Sequence, residues 1–301
     1  MVDVNKYTGC FIGLVIGNAF GAPYEGGILE RLLWKAIGKT KEGKLRYTDD
    51  TQMAINLASS FIRNGNINQD HLAKTFADSY QWSRGYGPGA AWLLKKIKHG
   101  ANWQDVNQAK FKEGSYGNGA AMRAPILAMC YPNNIDELEE SVIKSSEITH
   151  AHPLAIEGAN LIALATYTAL NDRNNDEILD ALRTACKSKE FYTKIRRCTE
   201  LLQTNDIHEL EKQEKGLGNG VAASESCVTA IYFALRYRSK NYNTMLSQIY
   251  KLGGDTDTIG AMAGSIWGAF NGSNGFDSDC IQKVEGSENI IALAKQLHEV
   301  T

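Results

Sequence analysis

The chain of 301 residues predicts an all-α fold, and three observations carry that expectation. Only five prolines interrupt the sequence. Stretch after stretch repeats apolar residues at spacings of three and four, the period that lines one face of a helix. No run of comparable length alternates apolar and polar residues as a half-buried strand does. In chain order, helices are expected over Thr51 to Arg63, Gln69 to Trp82, Asp136 to Ile148, Pro153 to Leu170, Ala222 to Arg236 and Thr258 to Phe270, each bounded by Gly, Asn or Pro. Leu161 to Leu170 is apolar on every face, as is much of Gly253 to Gly272, so both belong at the centre of a globule. They are too short and too flanked by charge to span a bilayer. Asn171 to Asp176 reads as an exposed loop, and Leu210 to Gly218, with its mixed charges, as a solvated one. Neither is long enough to separate domains and no internal repeat is present, so one domain is expected over 1–301.

Composition narrows the function classes. The 32 basic and 34 acidic residues give a formal charge of -2, which argues against nucleic acid or anionic membrane as a partner. Six cysteines, Cys10, Cys130, Cys186, Cys198, Cys227 and Cys280, stand singly with no CxxC pair. Buried, reduced thiols of a cytoplasmic protein are the expectation. The apolar run after Met1 to Cys10 is broken by Gly13, Gly17 and Gly21 and supports neither a signal peptide nor a span.

Glycine is the first anomaly. The chain has 28 of them, and inside a helix each costs about 1 kcal/mol relative to alanine. They gather at Gly9 to Gly27, Gly85 to Gly89, Gly114 to Gly119, Gly216 to Gly220, Gly253 to Gly254 and Gly260 to Gly275. Glycine-rich loops can point backbone N–H groups at a pyrophosphate without formal positive charge; ordinary caps and turns are the plainer alternative.

The carboxylates are more specific. Tyr47-Thr48-Asp49-Asp50-Thr51 sets two acids among hydroxyls at an expected helix start, and Gly253-Gly254-Asp255-Thr256-Asp257-Thr258 repeats the chemistry far along the chain. One such residue before a helix is most simply an N-cap. Capping needs a single side-chain oxygen, whereas these segments concentrate four carboxylates before very apolar helices. Four buried carboxylates repel one another by several kcal/mol unless a cation neutralises them. Oxygen-only ligands select hard cations, Mg²⁺ or Mn²⁺, over zinc, and two such ions can activate a shared water. Glu25 precedes Gly26-Gly27, where a loop can move, although a lone glutamate is more often surface. His150 is a candidate donor to a phosphate or ribose hydroxyl, with a helix-end cap as the alternative.

Taken together and in this order, Gly13 to Glu25, Thr48-Asp49-Asp50-Thr51 and Gly254-Asp255-Thr256-Asp257-Thr258 resemble the ADP-ribosylglycohydrolase family, over about Gly9 to Asn271. Gly114-Ser115-Tyr116-Gly117-Asn118-Gly119, Leu217-Gly218-Asn219-Gly220 and Glu225-Ser226 to Tyr232 are most similar to its ADP-ribosylhydrolase 3 branch, which acts on serine-linked ADP-ribose, poly(ADP-ribose) and O-acetyl-ADP-ribose. The resemblance implies a compact orthogonal helical bundle with two Mg²⁺ (or Mn²⁺) at its centre. It makes Thr48, Asp49, Asp50, Asp255, Asp257 and Thr258 the metal ligands and Glu25 the mobile catalytic or gating glutamate, with Asp49 and Asp257 serving catalysis as well. Gly114, Ser115, Tyr116, Gly117 and Asn118 would line the ADP-ribose cleft, His150 would lie near the diphosphate, and Phe111 and Tyr116 would sandwich adenine.

The implied partners are ADP-ribose and ADP-ribosylated proteins, handled by a chain compatible with a monomer. The implied reaction is attack of a bound water on C1 of the ribose, with Glu25 governing the proton. An arginine-linked substrate, a non-catalytic ADP-ribose binder, and a two-metal hydrolase of another nucleotide or phosphate ester are the alternatives. Three departures from the family pattern stand out: Asn18 where many members carry Asp, Pro88 in a loop that is commonly flexible, and His152-Pro153. The first is expected to alter metal affinity and the second to stiffen the loop.

Overall fold

The computed structural model describes residues 2–204 and 216–301. Six helices open the chain: α1 (Val4–Gly21), α2 (Ile28–Ile37), α3 (Asp49–Asn64), α4 (Gln69–Ser79), α5 (Pro88–Lys98) and the single-turn α6 (Trp103–Val106). A 3-10 segment, Asn118–Arg123, then runs into α7 (Ala124–Cys130), followed by α8 (Ile135–Glu147), α9 (Pro153–Leu170), α10 (Asn175–Ala185) and α11 (Lys189–Gln203). The last five are α12 (Ala223–Arg236), α13 (Tyr242–Leu252), α14 (Thr256–Asn271), α15 (Ser278–Gln282) and α16 (Ser287–Glu299). Among the described residues there is no β-strand, only isolated bridges such as Leu45 with Val284.

The all-α expectation holds, and the local chemistry explains the boundaries. α9 starts where expected because Pro153 occupies its first turn and His152 caps it, Nδ1 accepting from the Leu154 amide at 3.1 Å. The 171–174 loop closes onto α10 through a reciprocal capping box between Asn174 and Glu177. α4 falls short of the expected Trp82. The Ser79 hydroxyl turns back to the Phe76 carbonyl at 3.1 Å and Tyr80 leaves helical geometry, so Trp82 sits in a separate turn, 72% exposed. Of the solvated stretch expected at Leu210 to Gly218, residues 210–215 lie outside the described residues. Cys10, Cys130, Cys198 and Cys227 are buried as expected, whereas Cys186 and Cys280 are partly open.

The glycines settle the architecture, and two of their clusters are not phosphate loops. Gly9, Gly13, Gly17 and Gly21 recur every fourth residue along α1; Gly260, Gly264, Gly268 and Gly272 do so along α14 and its end. At that spacing each set forms one stripe, and the stripes meet in antiparallel backbone contact. A Cβ on Gly13 would stand 2.0 Å from the Gly264 carbonyl oxygen, one on Gly17 2.0 Å from that of Gly260, and one on Gly9 2.5 Å from that of Gly268. No side chain fits between the two helices. Their outer faces are covered by α12, α16 and α3, with α9 at the centre of the bundle buried on nearly every face. Among the described residues no helix is long and apolar enough to cross a membrane.

Gly13→Ala or Gly17→Ala should therefore force the helices apart. We expect a loss of about 1–3 kcal/mol in urea unfolding, whereas Gly216→Ala, whose added methyl meets nothing within 4 Å, should change stability by less than about 0.5 kcal/mol.

Candidate metal centre and cleft

Because α1 and α14 run antiparallel, the C-terminal end of one lies against the N-terminal end of the other. The start of α3 joins them through Asn18, whose Oδ1 accepts from the Thr48 amide at 2.8 Å and from the Thr51 hydroxyl at 2.9 Å. Two helix N-termini with their positive ends thus converge on the negative end of a third. The sequence left N-capping as the alternative reading of Thr48 and Asp255. Elsewhere in the chain Asp3, Asn68, Asn134 and Asn174 all cap with their side chains. Thr48 and Asp255 hold the N-cap positions of α3 and α14 and neither side chain caps. The Thr48 hydroxyl instead donates to Asp257 Oδ2 at 3.1 Å, and Asp255 Oδ2 accepts from Asn118 Nδ2 at 2.5 Å. The Thr48 hydroxyl and the Asp255 carboxylate thus reach a shared centre, with Asp255 also bonded by Thr258 of its own helix.

Gly254 supplies the geometry at α14. Its φ of +78° is left-handed, and a Cβ there would stand 2.1 Å from the Asn219 carbonyl oxygen, to which the Asp255 amide donates at 2.8 Å. Carboxylate oxygens of Glu25, Asp255 and Asp257 lie within 4.8 Å of one another. Asn18 Nδ2 donates to Thr48 Oγ1 at 2.6 Å and approaches Asp50 Oδ2 at 3.2 Å and Asp257 Oδ2 at 3.3 Å. Asp50, Asp255 and Asp257 are all 4% exposed or less. Asp49 is only partly buried and opens to the cleft.

The electrostatic consequence is severe. Burial, more than any neighbour, raises all four aspartyl pKa values. Asp49 rises to about 7, with Asp255 adding to the effect and its own amide and Arg123 opposing it. Asp50 and Asp257 go well above the ordinary range, Asp50 also through Asp49 and Asp255, and Asp257 through Glu25, Asp50 and Asp255. Asp255 rises less because Asn118, Asp257 and Thr258 hydrogen-bond it. Among the described residues no lysine or arginine forms an ion pair with the four. Asp257 Oδ1 is buried with no hydrogen-bond partner. An orphaned carboxylate oxygen beside acids that destabilise one another's charge is the donor set a hard divalent cation fits.

The acids form the floor of a cleft of about 360 Å³, the size of a small-molecule site. Glu25, Thr48, Asp49, Asp50, Asp255, Asp257 and Thr258 line it, together with Phe111, Ser115, Tyr116, Gly117, Asn118 and His150. Phe111 and Tyr116 are 43% and 58% exposed, open faces at its mouth. Gly114 does not line it. Its left-handed φ of +83° packs it against the backbone of Ala151 and His152, behind the wall. Tyr24 stacks on Tyr250, ring centroids 4.4 Å apart, and anchors the segment leading to Glu25.

Several contributors escaped the sequence reading. Glu285 accepts from the Tyr47 amide at 3.0 Å and pairs with Arg84, which donates to the Tyr47 carbonyl at 2.8 Å and covers its ring. That clamp delivers Thr48, and nothing in local sequence ties Glu285 to Tyr47. Met53, Met122 and Val221 add apolar wall. The family departures also find places. Asn18 is the hydrogen-bonding hub of the centre, Pro88 starts α5 rather than stiffening a loop, and His152 is the cap of α9.

A sequence model of the ADP-ribosylglycohydrolase family matches residues 2–301. The ADP-ribosylhydrolase ARH3 of Mus musculus is 31% identical over 346 residues, covering 99% of this chain and 92% of its own. The human ADP-ribosylhydrolase ARH3 is 31% identical over 344 residues, covering 99% and 94%. A solved structure described as an ADP-ribosylglycohydrolase-related protein complex superimposes with a TM-score of 0.73 over 99% of this chain and 98% of that one, at 21% identity, a likeness of fold.

The raised carboxyl pKa values fix a direction for stability. With metal chelated, the folded chain holds protons on Asp50 and Asp257 that the unfolded chain has already released near pH 4. Stability must therefore fall as pH rises. His150, lowered to about 3 by burial and by Arg123, contributes the opposite slope only below about pH 6.5. Above pH 6.5, for as long as the raised carboxyls of the folded chain keep their protons, unfolding in EDTA should lose up to about 1.4 kcal/mol per pH unit for each of them. Excess Mg²⁺ should remove that slope; a pH-independent midpoint in EDTA would contradict it.

Proposed function

The chain belongs to the ADP-ribosylglycohydrolase family, and from that membership we propose that it hydrolyses the glycosidic bond between ADP-ribose and an O-linked acceptor. Serine-linked ADP-ribose, poly(ADP-ribose) and O-acetyl-ADP-ribose are the substrates of this reading, and ADP-ribose is the product. The observation that carries it is the pair of helix starts, at Thr48 and Asp255, whose side chains reach a common centre holding an orphaned Asp257 oxygen. Near-complete coverage of the ARH3 relatives supports the choice of linkage.

In this reading Thr48, Asp49, Asp50, Asp255, Asp257 and Thr258 hold two Mg²⁺ or Mn²⁺. The ions would supply Lewis acidity, acidifying a water and engaging hydroxyls of the ribose. Asn18 orients Thr48, Asp50 and Asp257 by the hydrogen bonds described above, and Asn118 orients Asp255. Glu25, at the rim beside Asp255 and Asp257, takes the proton from the attacking water as its oxygen bonds to C1. The bond from C1 to the acceptor oxygen breaks, and the proton passes to that oxygen. Nearby carboxylates stabilise positive charge that develops on the ribose ring. Phe111 and Tyr116 stack on adenine, Ser115 and Gly117 lie beside the ligand, and Gly114 holds the turn behind them. One domain over 1–301 does this work, as a monomer in the cytoplasm and without nucleic acid or membrane.

The deciding assay is release of ADP-ribose from serine-linked and arginine-linked peptides, with Mg²⁺ and with EDTA. Metal-dependent release from the serine peptide alone is expected. Release from the arginine peptide alone would reassign the acceptor, and failure on both would leave a binding protein. Asp257→Ala should abolish turnover with the helical circular-dichroism spectrum intact. Tyr116→Ala should weaken ADP-ribose binding by about 5- to 150-fold, the range for loss of one stacked base.

A further inference from the structure

Arg123 is completely buried and has no part in the reaction above. It ends the Asn118–Arg123 segment, its guanidinium lies over the Phe76 ring at 5.0 Å, and it donates to the Ser145 carbonyl at 2.8 Å and to the Gly119 carbonyl. It also donates to Thr149 Oγ1 at 3.0 Å. The Thr149 hydroxyl is buried in turn, and its other partner is His150 Nδ1 at 2.7 Å. Arginine has donors only, so Thr149 Oγ1 accepts from it. The single hydroxyl hydrogen is then left for the imidazole, since buried polar hydrogens are rarely unpaired. Nδ1 accepts it, and the ring proton belongs on Nε2. That nitrogen lies in the cleft wall beside Gly117 and Gly119, 3.4 Å from where a Cβ on Gly117 would be.

We propose that Arg123 and Thr149 are positioning residues that fix His150 as its Nε2–H tautomer, a neutral hydrogen-bond donor to an anionic oxygen of the ligand in the cleft. The ligand's identity as ADP-ribose rests on the function proposed above; the tautomer does not. Burial and the Arg123 charge hold the ring neutral, with its pKa near 3, so donation from Nε2 depends on where the one ring proton sits. With that proton on Nδ1, a lone pair would face the ligand oxygen and repel it.

The test is ¹⁵N NMR of the full chain labelled at histidine, at pH 7, with the His150 signals assigned by their loss in His150→Gln. Wild type should show a proton-bearing Nε2 and an unprotonated Nδ1. Thr149→Val should give a mixture of tautomers and weaken ADP-ribose binding about tenfold, the loss of one hydrogen bond to a charged group; Thr149→Ser should restore both. A protonated Nδ1 in wild type, or a Thr149→Val chain with unchanged tautomer and affinity, would overturn the relay. If wild type binds no ADP-ribose, the substrate reading fails while the nitrogen signals still decide the relay.

Discussion

Everything at the acidic centre depends on one contact, backbone against backbone, between α1 and α14. Two helices packed through ordinary side chains keep their axes 8–10 Å apart; here the opposing glycines leave no room for even a methyl group. That closeness sets the end of α1, with Asn18 and the approach to Glu25, directly beside Asp255 and Asp257 at the start of α14. Glycine within a helix loses backbone entropy on folding, so the stripes are stabilised only by the packing they allow. The centre therefore rests on glycine-rich helices of low intrinsic propensity, held by close backbone packing.

The same arrangement tempers an unfavourable charge distribution. Four aspartates in one buried place could not all stay ionised, and their raised pKa values express that repulsion. Two helix N-termini offset part of it, and the Asn18 amide donates where a further acid would have added charge. Asn18 was read from the sequence as a missing carboxylate. Its Oδ1 accepts from the Thr48 amide and the Thr51 hydroxyl, while its Nδ2 reaches Thr48, Asp50 and Asp257. An aspartate could reproduce the accepting half of that pattern and not the donating half.

The long helices were legible because burial of one face imposes a period, and α9 could be assigned to the centre because all its faces are apolar. The acid-rich helix starts were legible because one cap position needs only one oxygen. What sequence could not show was the purpose of the glycines inside the expected helix at Thr258 to Phe270 and in Gly9 to Gly21: the four-residue repeat acquires meaning only beside a second stripe far along the chain. The Arg84–Glu285 clamp and the Arg123–Thr149–His150 chain were invisible for a related reason, since their partners are brought together by tertiary packing. Gly114 was assigned to the cleft wall by its neighbours' company, while its left-handed turn buries it behind that wall.

The two halves of the cleft are not independent. The wall that carries Tyr116, Gly117 and Asn118 pairs with the segment entering α12: the Asn118 amide donates to the Val221 carbonyl at 2.9 Å, and the Ala223 amide to the Tyr116 carbonyl at 3.0 Å. From that pinned backbone the Asn118 side chain reaches Ser226 at 2.9 Å and Asp255 at 2.5 Å. One residue thus belongs to the aromatic wall through its main chain and to the acidic floor through its side chain. On the function proposed above, a ligand stacked at the mouth would be held in fixed register with the carboxylates below. Positioning of this kind is where a hydrolase gains much of its rate, and it explains why the wall is tied to the floor by hydrogen bonds rather than left as a free loop.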